Sequence, residues 1–146
     1  MDRLLVTALG RLGYADALAF QRETLAAVQA GGPQALLLCE HDPPVITLGK
    51  SARPEHILTA RDQLAAEGVE VCVAGRGGQV AYHGPGQLMA YPIVRLGRGR
   101  PSVREYVHLL EEAVIDALAG LGVSAARRAG HPGVWVGEAK IAALVP

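Results

Sequence analysis

The densest chemistry in the 146 residues lies in Arg76-Gly77-Gly78-Gln79-Val80-Ala81-Tyr82-His83-Gly84-Pro85-Gly86-Gln87. Four glycines in these twelve positions free the backbone to approach a ligand closely, while Arg76, Tyr82 and His83 supply a fixed cation, an amphipathic ring and a titratable imidazole. The same residues would also serve a turn-rich, solvated connection, so the stretch points to a binding loop without naming its ligand. Its glycine spacing matches neither the dinucleotide fingerprint nor the Walker loop, and no Lys-Ser or Lys-Thr follows, so a nucleotide is not implied.

Lysine is the second signal. Of the 14 Lys and Arg residues only Lys50 and Lys140 are lysines, and Lys140 stands beside the apolar run Ile141-Ala142-Ala143-Leu144. A partly buried lysine there can take part in proton transfer or favour a neighbouring thiolate, whereas a lysine at a strand start is ordinarily a surface residue. His41, His56, His108 and His131 have no spacing that places two of them on one face as metal ligands, and no metal is expected. Cys39 and Cys72 sit inside apolar runs, fit neither a disulfide framework nor a zinc site, and read as small core hydrophobes. Trp135 reads as a core or rim anchor.

The elements that must position these residues follow from periodicity. Tyr14 to Ala30 carries Leu18, Leu25 and Val28 among alanines and polar residues and stops at Gly31-Gly32-Pro33, an amphipathic helix with a glycine end. Ala35 to Glu40 and Val45 to Leu48 predict two buried strands joined by the proline turn at Pro43-Pro44. Thr59 to Glu67 predicts a short helix and Val69 to Val73 a third strand, while Pro92 inside Leu88 to Leu96 predicts an edge strand or a bulge. Ser102 and Glu105 form a capping box ahead of Val107, Leu110, Val114, Ile115, Leu118 and Leu121. Gly133 to Val136 and Ile141 to Val145 flank Gly137-Glu138-Ala139-Lys140 as a hairpin, and Gly97 to Pro101 is a short basic loop. Several connections are too short for a crossover helix, so the expectation is an α+β fold, one mixed sheet with packed helices, in a single domain over residues 1–146.

Composition narrows the function classes. Half of the residues are apolar and 19% are charged, which excludes a disordered tail, and no apolar run approaches the roughly 20 residues that span a bilayer. Formal net charge is zero, so no global field favours nucleic acid or an anionic membrane, and neither is an expected partner. The first ten residues make a poor signal peptide, and a cytoplasmic protein is expected.

Three ordered blocks carry a family resemblance: Glu40-His41-Asp42-Pro43-Pro44-Val45-Ile46-Thr47-Leu48-Gly49, then Arg76 to Gln87, then Gly133-Val134-Trp135-Val136-Gly137-Glu138-Ala139-Lys140-Ile141-Ala142-Ala143-Leu144. Together they resemble the lipoyl(octanoyl) transferases, whose fold is shared with lipoate and biotin protein ligases. That resemblance implies transfer of an octanoyl group from octanoyl acyl carrier protein to a lysine of lipoyl domains, those of 2-oxoacid dehydrogenases and of the glycine cleavage H protein. It implies no cofactor. By likeness Lys140 matches the catalytic lysine, Arg76, Gly77, Gly78, Gln79, Val80, Ala81, Tyr82 and His83 match the acyl-binding segment, and Ala143 and Leu144 match the start of a second substrate-contacting segment. The family's cysteine nucleophile stands in a Pro-Cys-Gly motif well beyond the position of Leu144, whereas this sequence ends at Val145-Pro146. A chain truncated at its C-terminus, with apolar surface left exposed, is therefore expected. Two other readings fit parts of the pattern: an ATP-dependent lipoate ligase, which resembles His-Asp where this chain has His83-Gly84, and a noncatalytic acyl-binding module.

Overall fold

The computed structural model describes residues 3–97, 99 and 101–145. Within it the chain forms two compact units, residues 1–95 and 96–146. Two residues of the basic loop, Arg98 and Arg100, lie outside the described residues.

The first unit is built from two βαβ crossings. Strand β1 (Leu4–Leu12) leads into helix α1 (Tyr14–Gln29) and then strand β2 (Gln34–His41), which pairs parallel with β1. A parallel pair needs such a crossover, and α1 supplies it. The helix closes where Gly31 takes φ +97° and the Gly32 amide reaches the Ala27 carbonyl at 2.9 Å. Arg95 Nη1 then donates to the carbonyls of Val28 and Gly32 at 2.9 and 2.8 Å, a cation at the C-terminal end of the helix. The second crossing runs from strand β3 (Val45–Leu48) through the 3-10 turn Pro54–His56 and helix α2 (Arg61–Ala66) to strand β4 (Glu70–Val73), again parallel to β3. Strands β5 (Val80–His83) and β6 (Met89–Ile93) pair antiparallel with β3 and β2 respectively.

Alternation decides what is buried. In β2 the buried residues are Ala35, Leu37, Cys39 and His41, and in β3 they are Val45 and Thr47. Period-two patterning thus carries two polar side chains, His41 and Thr47, onto the buried faces, each 1% exposed.

The second unit places helix α3 (Val103–Gly120) against an antiparallel sheet of β7 (Ala126–Arg128), β8 (His131–Val136) and β9 (Ala139–Ala142). The capping box is present: Ser102 Oγ accepts from the Glu105 amide at 3.3 Å, and the Ser102 amide donates to Glu105 Oε2 at 2.7 Å. Glu111, 4% exposed on the apolar side of α3, accepts from the Gly133 amide at 2.8 Å and from Arg127 Nε at 3.1 Å, with His108 Nδ1 at 3.2 Å. Burial pushes the Glu111 carboxyl up, but these three hydrogen bonds outweigh it and hold the carboxyl below its ordinary range.

The α+β class and the mixed strand directions of the first unit are as the sequence predicts, and so are α1, α3, β2, β3 and β4. Among the described residues three three-stranded sheets replace the single expected sheet: β1-β2-β6, β4-β3-β5 and β7-β8-β9. Pro92 lies in β6, which has one partner strand among the described residues, as its missing N–H requires. The hairpin turn is shorter than expected, so Lys140 stands on β9 rather than in the connection. Leu4, Leu5 and Val6 of the edge strand β1 are half or more exposed.

Gly133 is the tightest joint of the second unit. Its φ is +114°, and a Cβ there would stand 2.6 Å from the Ala142 carbonyl oxygen. Gly133→Ala should cost about 3 kcal/mol, with strain and backbone clash acting together. Gly130→Ala, at φ +75° with open space around it, should cost only about 1–2 kcal/mol. Paired thermal or urea unfolding curves check the ordering.

Candidate functional site

The glycine-rich stretch is part loop and part strand. Residues 74–79 form the turn between β4 and β5, and Val80 to His83 are β5 itself, paired with β3 in the register Leu48↔Val80, Thr47↔Ala81, Ile46↔Tyr82 and Val45↔His83. Backbone bonds sew this turn onto the end of β3. The Gly49 amide donates to Gln79 at 2.7 Å, the Lys50 amide to Arg76 at 3.1 Å and the Ser51 amide to Gly78 at 3.0 Å. Gly49 has no room for a side chain, since a Cβ would meet the Gly77 carbonyl oxygen at 2.6 Å and Arg76 Nη1 at 2.8 Å. Gly78, at φ +75°, takes a backbone conformation that glycine alone adopts without cost.

Arg76 is fixed to the protein. Its Nε donates to Thr47 Oγ1 at 3.0 Å, its Nη2 to Thr47 Oγ1 and to the Thr47 carbonyl, both at 2.6 Å, and its Nη1 to the Gly77 carbonyl at 2.9 Å. Charge-assisted bonds of this kind are among the strongest available to a partly buried group, so the guanidinium is committed to shaping the turn. Tyr82 is half exposed, and its ring covers the buried Gly84, where a Cβ would lie 2.6 Å from the ring. Gln79 is exposed, whereas Gly77, Val80 and Ala81 are half-buried.

Next to this turn lies a polar aromatic cluster that sequence reasoning missed. His41 Nδ1 faces the Leu12 carbonyl at 3.5 Å, and the Tyr91 hydroxyl lies 2.8 Å from His41 Nε2. The Tyr14 and His83 rings meet His41 edge-on at 5.7 and 5.9 Å between centroids. His83 Nε2 is 3.2 Å from Thr47 Oγ1, and His83 Nδ1 is 2.7 Å from Gln87 Oε1. Burial lowers the pKa of His41, with the nearby His83 adding to the effect and the Leu12 carbonyl and Glu70 opposing it. Burial also lowers that of His83, with Arg76 adding and Gln87 opposing, and it pushes the Tyr91 hydroxyl well up. Both imidazoles are therefore neutral at pH 7. A polar residue within or at the end of an apolar strand run, Thr47 or His41, was the available signal.

Neither cysteine is an activated thiol. Cys39 is 3% exposed and burial pushes its thiol up; Cys72 is pushed up by burial and then by Glu70. Among the described residues no group of three or more His, Cys, Asp or Glu is placed to hold a metal ion. No helix there is long and apolar enough to cross a membrane.

In the second unit Lys140 is exposed, unlike the partly buried lysine considered above. Cross-strand register sets it opposite Trp135, and its Nζ lies 4.9 Å from the centroid of that ring. The Arg128 guanidinium also stacks on Trp135, at 5.1 Å, and Trp135 Nε1 donates to the His131 carbonyl at 3.1 Å. Trp135 is thus the rim anchor the sequence suggested, half-buried between the Arg128 and Lys140 side chains. Ala143 and Leu144 follow β9, the first exposed and the second half-buried.

Comparison with known proteins sets this geometry in context. The family model of the lipoyl protein ligase A/B catalytic domain matches residues 13–144. An octanoyltransferase of Desulfovibrio desulfuricans is 48% identical over 136 residues, covering 93% of this chain and 57% of the relative. An octanoyltransferase of Chloroflexus aurantiacus is 50% identical over 148 aligned residues, covering 99% of this chain and 66% of the relative. The chain thus spans about three fifths of the length of these relatives. Among solved structures, a lipoate-protein ligase A bound with ATP superposes with TM-score 0.70 at 20% identity, covering 95% of this chain and 58% of that one. A bi-partite lipoate protein ligase of Thermoplasma acidophilum, studied with its E2 lipoyl domain, gives TM-score 0.70 at 24% identity over 92% of this chain and 50% of that one. These two likenesses show the fold.

Two depressed imidazoles give a signed pH dependence. A group whose folded pKa lies below its unfolded value of about 6.5 stays neutral while the unfolded chain takes up protons, so stability is lost as pH falls from about 6.5 toward the folded pKa. The groups facing this pair are the Leu12 carbonyl, Tyr14, Thr47, Glu70, Arg76, Gln87 and Tyr91. The Glu111 carboxyl is depressed, so its contribution is lost only below about pH 4.3. The melting temperature should therefore fall between pH 7 and 5, and His83→Gln should flatten that slope; a wild-type profile level over this range would contradict the cluster's neutrality.

Proposed function

The chain belongs to the lipoyl protein ligase A/B catalytic-domain family, and from that membership we propose that the protein is an octanoyltransferase, moving an octanoyl group from octanoyl acyl carrier protein to a lysine of lipoyl domains. The observation that carries this reading is the identity of 48–50%, across nearly all of this chain, to relatives named octanoyltransferase. Acceptors would be lipoyl domains of 2-oxoacid dehydrogenases and the glycine cleavage H protein. The family match runs across both compact units, which supports reading them as parts of one catalytic domain.

The chemistry asks for two transfers. A thiolate attacks the carbonyl carbon of the donor thioester, the donor's C–S bond breaks and its thiol leaves with a proton. The acceptor amine then attacks the new thioester, an amide forms, and the enzyme thiol is released. Lys140 is the acid/base partner: an ammonium near the thiol favours the thiolate and can later pass protons to and from the attacking amine. The Trp135 ring, 4.9 Å from Nζ, would favour that ammonium. Burial pushes up the thiols of Cys39 and Cys72, which does not favour either in this role; by the family resemblance the nucleophile would be the cysteine of the Pro-Cys-Gly motif.

The segment Arg76 to His83 is the proposed acyl site. Burying an eight-carbon chain contributes about 0.8 kcal/mol per methylene, so an apolar slot beside a glycine-rich turn can dominate acyl affinity. Gly77, Gly78, Gln79, Val80 and Ala81 would border the chain, Tyr82 and His83 its polar end, and Ala143 and Leu144 a further substrate contact. Arg76 contributes by holding the turn.

The test is intact-mass analysis of the native protein after incubation with octanoyl acyl carrier protein. One octanoyl adduct labile to hydroxylamine should form, and a lipoyl domain added next should take up the group. Lys140→Ala should slow the overall transfer by roughly a hundredfold or more. Acylation that requires ATP and free octanoate, with no hydroxylamine-labile adduct, would replace this reading with a ligase.

A further inference from the structure

Thr47 is buried and touches no other side chain's chemistry except that of Arg76 and His83 among its hydrogen-bond partners. Its hydroxyl oxygen receives two N–H groups from the guanidinium, Nε at 3.0 Å and Nη2 at 2.6 Å. Both lone pairs are then occupied, so the hydroxyl proton must point outward as a donor. Two acceptors lie in reach, His83 Nε2 at 3.2 Å and the Ala81 carbonyl at 3.5 Å, and the imidazole is the nearer. An imidazole that accepts at Nε2 and is neutral must carry its proton on Nδ1. The far side of the ring agrees, for Nδ1 faces an oxygen, Gln87 Oε1, at 2.7 Å.

We propose that Thr47 is a positioning residue that, with Arg76 behind it, locks His83 as the neutral Nδ1–H tautomer and so presents a fixed N–H donor to an acyl carbonyl oxygen, whose place Gln87 Oε1 holds. The inference rests on reading the segment Arg76 to His83 as the acyl site. Its logic is a polarised chain: guanidinium to hydroxyl, hydroxyl to Nε2, Nδ1–H to a carbonyl oxygen. Gln87 is exposed, and its carboxamide carbonyl has the same acceptor chemistry as a thioester or amide carbonyl, so a ligand can take its place without burying a new polar group. A donor fixed in advance needs no reorganisation as charge builds on that oxygen. The same lock removes His83 from proton transfer, because Nε2 is turned to Thr47 and Nδ1 already bears its proton. That leaves acid/base work to Lys140.

The test is nitrogen-15 NMR of the histidine rings in the full chain, labelled at histidine, between pH 7 and 8, with the N-acetylcysteamine thioester of octanoate as probe. Wild type should show His83 with Nδ1 protonated and Nε2 bare. Thr47→Ser should keep that pattern, and Thr47→Val should lose it, with the ring moving to a mixture or to the Nε2–H form. The probe should move the His83 Nδ1–H resonance, and Gln87→Ala, which clears the position, should tighten probe binding severalfold. A wild-type ring protonated on Nε2 overturns the proposal, as does a Thr47→Val chain that is folded and unchanged in tautomer. Probe binding that leaves Nδ1–H unmoved overturns the carbonyl role. A probe that does not bind at all, in a chain whose tautomer follows Thr47 as stated, speaks against the octanoyl reading and upholds the lock.

Discussion

One guanidinium organises the first unit. Arg76 spends its donors on the two oxygens of Thr47 and on the Gly77 carbonyl, and that commitment closes the turn between β4 and β5 against the end of β3. Backbone amides of Gly49, Lys50 and Ser51 complete the seam. A partly buried cation is expensive unless its donors are met, so the arrangement is close to all-or-none: either Thr47 receives the fork or the turn must reopen to water. Gly49 is the matching constraint, because any side chain there would occupy the space that Arg76 and the Gly77 carbonyl fill. A cationic residue in a glycine-rich stretch suggests an anion site when met in sequence. Here the cation is consumed internally, and the stretch is left with a neutral imidazole and a tyrosine ring at its open side.

The second unit repeats the theme with opposite charge. Glu111 is a buried carboxylate on the apolar side of α3, and it is tolerated because the Gly133 amide, Arg127 and His108 all meet it. It ties the helix to the hairpin at the one glycine, Gly133, whose Cβ position is blocked by the Ala142 carbonyl. That hairpin carries Trp135 and Lys140 on facing strands, so a helix-to-strand hydrogen bond stands behind the placement of the proposed acid/base residue.

Much of this was legible in the residues. Helices α1 and α3 announce themselves through periodicity, a glycine stop and a capping box, and β2, β3 and β4 through apolar runs of strand length. What escaped did so for identifiable reasons. Strand β1 begins with an apolar run at the chain start, where alternation is weak and edge position leaves Leu4, Leu5 and Val6 exposed. Strand β5 is hidden inside a stretch whose four glycines read as loop. Strand β7, Ala126–Arg128, is three residues long and exposed throughout, so burial leaves no pattern in it. The separation into three sheets depends on which strands meet across long sequence distances, and no local signal carries that. The His41, Thr47, Tyr91 and His83 cluster is nonlocal in the same way, yet two of its members leave a trace: a threonine inside one apolar strand run and a histidine at the end of the other. Glu111, a charge set among Val107, Leu110, Val114 and Ile115, leaves the same trace in a helix.

Arg76 thus clamps the glycine-rich turn and does not bind the ligand by its charge. Amide hydrogen exchange in Arg76→Lys measures this most directly, because an ammonium cannot reproduce the fork to Thr47. The amides of Gly49, Lys50 and Ser51, protected in the wild type, should exchange much faster in the variant while β2 remains protected. Unchanged protection at those three amides, accompanied by weaker acyl binding alone, would contradict this clamp and return Arg76 to the role of a ligand cation.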